Sequence, residues 1–290
     1  YQSLADSSEY QTLDNAQKKV INNALRDFKL SGIALSADDQ QRYAEISTHL
    51  SKLSSSFGNN ILDATGAFSI CITDENDLSG LPDSTKEAAK ALAASKEQHP
   101  ADSYLFTLDI PSYLPVMMYC DNRDLREQMY RAFVSRASDQ GPQQGKFDNS
   151  ATMNDLLAYR HELALLLGFN NFAEKSLATK MANSTDEVLN FLQDLAAKSK
   201  HQGEQDITEL KAFALDQHQV DDLQAWDLPY YSEKLKQSRY AISDEELRPY
   251  FPESKVVAGL FEVVHRLFGL TIKILLVNII IILLMVVLSI

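Results

Sequence analysis

Cysteine is scarce in this 290-residue chain, with Cys71 and Cys120 as its two thiols and no Cys-x-x-Cys pair. That excludes a disulfide framework and suits a reducing compartment. Positive charge is also short. With 27 Lys and Arg against 40 Asp and Glu, the formal charge is −13. Nucleic acid is excluded as a partner, because phosphate neutralisation needs clustered cations. There is no Gly-x-Ser-x-Gly elbow to present a serine nucleophile and no Gly-rich loop to cradle phosphate. No signal peptide is visible, since residues 1–30 are polar and mixed in charge. The first residue is Tyr1 rather than Met, so we expect the natural start to have been removed or to lie upstream. Neither an internal repeat nor a low-complexity linker interrupts the chain before its last residues.

One absence is local. Residues 274–290, ILLVNIIIILLMVVLSI, contain no charge at all and follow directly on Lys273. Their composition breaks with the 273 residues before them. Three readings fit: a disrupted reading frame, a membrane anchor, or a buried core segment. The abruptness of the change favours the first. As a helix the tail spans about 25 Å at 1.5 Å per residue, short of a hydrocarbon core of about 30 Å. It also carries Asn278 and has no basic cluster after it. Membrane is therefore a partner only if the tail is genuine.

What is present is the composition of a globular protein, 45% hydrophobic and 23% charged, long enough for one large domain or two ordinary ones. Most segments carry helical periodicity. Tyr43, Ile46, Leu50, Leu53 and Phe57 fall on one face, with Ser47, Ser51, Ser54 and Ser55 filling much of the other side. Ser184 and Glu187 form a capping-box pattern ahead of an expected buried stripe of Val188, Phe191, Leu192 and Leu195. Ser243 and Glu246 repeat the pattern, and Pro249 ends that helix. Val256, Val257, Leu260, Val263, Val264 and Leu267 give another stripe, closed by Gly269 as a C-terminal cap. Two stretches alternate with period two: Phe68, Ile70, Ile72, and Tyr104, Phe106, Leu108, Ile110. They predict a two-stranded patch, with a helix over 84–98 between the strands. Residues 138–150, with Gly141, Pro142 and Gly145, read as an exposed loop.

The candidate chemistry is sparse. His161 and Glu162 begin a thermolysin-type zinc motif, which needs a second His four residues after the first so that both imidazoles project from one helix face. Position 165 is Leu165, and His161 reads instead as a helix-surface or partly packed residue. His49, His99, His201, His218 and His265 show no close two-His spacing. Asp244, Glu245 and Glu246 read as favourable charges at a helix start rather than an acid–base pair. Cys120, between Tyr119 and Asp121, has no identifiable base. Trp226, Tyr230 and Tyr231 suit core or inter-helix packing better than a cleft lining.

Several blocks, in order, carry a resemblance: FKLSGIAL at 28–35, EISTHLSKLSSSFGNNILDAT at 45–65, LSGLP at 78–82 and MYRAFVSRAS at 129–138. RHELALLLGF at 160–169, WDLPYYSEKLKQSRYAISDEELRPYFP at 226–252 and VVAGLFEVVHRLFGL at 256–270 complete the set. Together they resemble the thimet-oligopeptidase-like M3 metallopeptidases over residues 1–273. The resemblance implies a mainly α-helical front lobe with a small two-stranded β patch, forming one wall of a deep channel between two lobes. It implies a cytoplasmic endopeptidase that cuts short peptides, including signal-peptide fragments. In such enzymes zinc is held by the two His of His-Glu-x-x-His and a downstream Glu, and the motif Glu activates water. All of these lie in the family's C-terminal part, so no catalytic, cofactor-binding or metal-binding residue carries over. We therefore expect residues 1–273 to be a helical front-lobe region, 274–290 an aberrant tail, and the chain inactive alone, with no bound zinc. The rivals are a non-enzymatic, tail-anchored helical peptide-binding protein and one half of a split peptidase.

Overall fold

A computed structural model of the chain describes residues 1–96, 99–100, 102–241, 247–275 and 283–287. They fall into two units, Tyr1–Ser232 and Glu233–Ile290.

In the first unit, short helices α1 (Gln2–Ala5) and α2 (Ser8–Thr12) precede α3 (Asn15–Leu30). Asp14 starts α3 through a capping box: its carboxylate accepts from Gln17 N–H, and the Gln17 amide accepts from Asp14 N–H. Helix α4 (Ala37–Gly66) runs 30 residues, about 45 Å at 1.5 Å per residue. Ser36 caps it by accepting from Asp39 N–H, and Asp38 and Asp39 sit where the helix dipole favours negative charge. The face expected from the sequence is the one that packs. Ile46 is fully buried with Leu163 and Leu167, and Tyr43 and Leu50 lie against them.

Those partners come from α8 (Ser150–Leu166) and its C-terminal turn. The two helices run antiparallel. Near one end Arg42 forks onto Glu162, Nε to Oε1 at 2.6 Å and Nη2 to Oε2 at 2.9 Å. Midway His49 stacks on Tyr159, 4.9 Å between ring centres. At the other end the buried Asn149 side chain donates to Phe57 carbonyl and accepts from Asn60. Seven of the thirteen residues 138–150 are exposed, and Asn149 is buried. They are nonetheless pinned to α4, because Gln143 also donates to the Ala64 carbonyl.

The expected strand pair forms, shorter than its alternation: Leu108 lies past the second strand and Ile110 opens the next helix. β1 (Ser69–Ile72) and β2 (Tyr104–Thr107) are antiparallel, with Ile70 opposite Phe106 and Ile72 opposite Tyr104. The helix expected over 84–98 is α5 (Asp83–Ala94), and it packs on β2. Leu105 is thus buried as completely as Phe106, so β2 is covered on both faces while β1 keeps a partly wet edge. Helices α6 (Ile110–Tyr119) and α7 (Arg123–Val134) complete this core around Leu78, Leu108, Val116, Met117 and Met129.

A buried ionic cluster joins α7 to the 222–231 segment at the start of α11 (Leu228–Tyr240). Asp227 is fully buried and receives Arg123 Nη2 at 2.6 Å and Arg126 Nη2 at 2.8 Å, plus Gln224 N–H at 3.0 Å. Arg126, itself buried, donates to Cys120 carbonyl and lies 4.1 Å over the Tyr230 ring. Tyr230 donates to Asp121 at 2.7 Å. Asp121 is held by Ser79 in the turn at Gly80, where φ is +85° and a Cβ would run into the Tyr119 carbonyl. Burial alone would raise the Asp227 carboxyl. The hydrogen bonds from Arg123 and Arg126 outweigh it and hold the group below the usual carboxylate range.

After α9 (Phe172–Leu177) comes the 34-residue α10 (Thr185–His218). Ser184 caps it by accepting from Glu187 N–H at 3.1 Å, while Glu187 reaches back to Asn183 N–H rather than closing on Ser184. The stripe expected to be buried is not: Phe191, Leu192 and Leu195 are 64%, 51% and 51% exposed. The apolar face is real, but among the described residues nothing covers it.

The second unit contains α12 (Glu253–Phe268), which ends on Gly269 in the left-handed region at φ +68°, the expected cap. Its apolar stripe is also open, with Leu260 57% and Leu267 70% exposed. Strands β3 (Thr271–Leu275) and β4 (Leu283–Val287) pair antiparallel, Lys273 opposite Met285. The capping pattern at 243–246, including Asp244, Glu245 and Glu246, lies outside the described residues. So do 276–282 and 288–290 of the apolar tail. Among the described residues no helix is long and apolar enough to cross a membrane.

Removing one partner of a buried ion pair strands the other. Asp227→Asn should therefore lower the unfolding free energy by about 3–5 kcal/mol at pH 7. Because the folded carboxyl lies below its unfolded value of about 3.9, the stabilisation is complete above that pH. It fades as pH falls through the folded value, so the variant should show a flatter acid limb than the parent. Urea midpoints between pH 7 and pH 3 test both. Arg126→Met combined with Asp227→Leu should recover most of the neutral-pH loss, since it removes both charges together.

Candidate functional site

The His161 and Glu162 pair is placed on the outer side of α8. His161 is exposed. Leu165, one turn on, is 54% exposed and offers no ligand atom. Glu162 is committed to Arg42, whose hydrogen bonds hold its carboxyl below the usual range. A general base for water needs the opposite shift, toward neutrality. Among the described residues no three His, Cys, Asp or Glu side chains converge as a metal site would require. Among the described residues, the side chains around His161 do not fit a zinc ion.

The other candidates resolve into packing. Cys120 is fully buried and donates weakly to the Asp77 carbonyl at 3.6 Å. Burial pushes its thiol up, away from the thiolate needed for attack. Tyr230 and Tyr231 are buried against each other edge-to-face, 5.0 Å between centres, and Trp226 lies under Arg131 at 4.9 Å. His218 sits among Phe213 and Tyr231. None of these aromatics opens a cleft.

Among the described residues, one of several concave features lies between α4 and α8. It is a groove of about 420 Å³ lined by Ser54 and Phe57 from α4 and by Met153, Leu156, Leu157 and Arg160 from α8. That volume falls within the range of small-ligand pockets. Leu156 forms its buried floor, while Met153 and Leu157, 46% and 63% exposed, form an apolar wall open to water. Spacing explains the wall: residues 153, 156, 157 and 160 stand at i, i+3, i+4 and i+7, on one helix face. Arg160 closes the groove, its guanidinium 5.2 Å from the centre of the Phe172 ring. A roomier hollow of about 540 Å³ between α9 and α10 has a mixed lining, in which Phe169 and Leu177 stand beside Glu174 and Ser184, both already engaged at helix starts.

Sequence reasoning did not single out Met153, Leu157 or Arg160. The signal was available as an apolar i, i+4 pair with a cation three residues on. What it lacked was any indication that α4 leaves that strip uncovered.

Comparison with known proteins gives two family matches: Peptidase family M3 over residues 116–275, and Neurolysin/Thimet oligopeptidase, N-terminal domain, over residues 1–41. Over 273 residues the chain is 59% identical to Oligopeptidase A of Salmonella typhimurium and to Oligopeptidase A of Escherichia coli. Each alignment takes in 94% of this chain and 40% of the relative. Probable cytosolic oligopeptidase A of Arabidopsis thaliana is 41% identical over 276 residues, covering 93% of this chain and 38% of that protein. The chain thus spans about 40% of the length of these bacterial relatives.

The purified chain should retain no stoichiometric zinc after equilibration with the metal and gel filtration, as read by atomic absorption. Leu165→His, which sets a second imidazole one turn from His161 on the open side of α8, should raise retention above the parent.

Proposed function

This chain belongs to peptidase family M3, and on that premise we propose that it supplies a peptide-holding wall of an oligopeptidase rather than its reacting centre. The observation that carries the reading is the 59% identity over 273 residues to Oligopeptidase A of two bacteria. The intact relatives would supply zinc to activate water for hydrolysis of internal peptide bonds. What this chain's own residues offer is surface: two antiparallel helices and an apolar groove to hold a short peptide. Residues 1–273 carry the role, and the apolar 274–290 segment stands apart from it. The substrates are oligopeptides, and the compartment is the cytoplasm, in keeping with the plant relative named as cytosolic.

On this reading the chain binds short peptides and does not cut them. A fluorescently labelled hexapeptide titrated with the purified 290-residue chain should show rising anisotropy. Chromatography should then recover the peptide intact, with or without added zinc. Cleavage of a quenched peptide that needs zinc and stops with a chelator would overturn the non-catalytic half of the proposal. Absence of any peptide binding would overturn the other half.

A further inference from the structure

We infer that the α4–α8 groove is a subsite for the free C-terminal end of a short apolar peptide, with the terminal carboxylate on Arg160. The inference rests on the reading of the chain as a peptide-holding wall and names what that wall grips.

Three observations converge on a carboxylate-ended apolar ligand. The groove is apolar along Phe57, Met153, Leu156 and Leu157, with Leu157 63% exposed. Such a surface gains from covering by apolar side chains. Its one charged lining residue is Arg160, for which no carboxylate partner stands among the described ion pairs. A guanidinium offers a planar fork matched to a carboxylate, and stacking on Phe172 restrains that fork. The third observation is the local sign of charge. In a chain of net charge −13, Arg160 and Lys175 both lie within 6 Å of the centre of the Phe172 ring, at 5.2 and 5.5 Å. Of the carboxylates close by in sequence, Glu162 is neutralised by the Arg42 fork and Glu174 is tied to the Asn170 and Asn171 amides. Arg160 therefore gives the apolar groove a cationic end in a chain whose net charge is negative.

A free carboxyl end distinguishes a short peptide from an internal stretch of a longer chain. A groove that reads it selects small substrates or retains products. The hydroxyl of Ser54 stands in the lining as a polar group for the peptide backbone.

The test is binding of N-terminally labelled Leu-Phe-Leu, as free acid and as C-terminal amide, to the full chain by fluorescence anisotropy. The acid should bind about tenfold tighter than the amide, as a charge-assisted pair provides. Arg160→Met should reduce the acid to the amide's affinity while leaving the far-ultraviolet circular dichroism unchanged. Leu157→Asp should weaken both peptides. Equal affinities for acid and amide, or a preference that survives Arg160→Met, would overturn the subsite while leaving a peptide-holding wall intact. Tighter binding of a glutamate-bearing amphipathic helix than of the tripeptide acid would also overturn it, in favour of a helical partner. If neither tripeptide nor any longer peptide binds, the broader reading falls with it.

Discussion

Asp227, buried between two arginines, is the constraint on which the front half of the molecule depends. An unpaired carboxylate in that position is costly, and so is the buried Arg126 guanidinium that faces it. Each is tolerable only while the other is in place. The pair therefore permits one docking of the 222–231 segment against α7. Everything around it is set by that docking: Arg126 over Tyr230, Tyr230 on Asp121, and Asp121 on the turn at Ser79 and Gly80. A pair of apolar residues would give comparable stability but would not demand a single register. The Cys120 thiol is buried as a by-product of this packing, and that burial pushes its pKa up.

The α4–α8 pair follows a different logic. It is fastened at both ends by polar contacts, the Arg42–Glu162 fork and the Asn149 bridge to Phe57 and Asn60. Its middle closes on Ile46, Leu163 and Leu167. Between that middle and the Asn149 end the helices leave a strip uncovered, and the groove lies there. The same ion pair that fastens the helices also takes Glu162 out of any acid–base role. Local architecture thus spends the one carboxylate that its neighbour His161 would make suggestive.

Exposed apolar faces recur in both units, at Phe191, Leu192 and Leu195 on α10 and at Leu260 and Leu267 on α12. Contiguous surfaces of this kind mark contact faces in folded proteins, and in their absence of cover they favour association.

The sequence by itself determined the helical body, the strand pair, the cap at Gly269 and the start of α10. These are short-range matters: periodicity, capping and positive φ are fixed by residues within a few positions of one another. It also determined the family, because the joint order of many blocks is a sequence property. It determined, too, that His161 has no second histidine one turn on. Only the tertiary structure decided which apolar stripes are covered. Ile46 and Phe191 both sit on periodic apolar faces, yet the first is fully buried and the second 64% exposed. Periodicity shows that a face is apolar, and burial depends on whether a distant element arrives to cover it. The same reason hid the Asp227 cluster, whose partners lie 101 and 104 residues apart in the chain. It hid the groove as well, since a gap between two helices is a property of their packing and belongs to neither sequence alone.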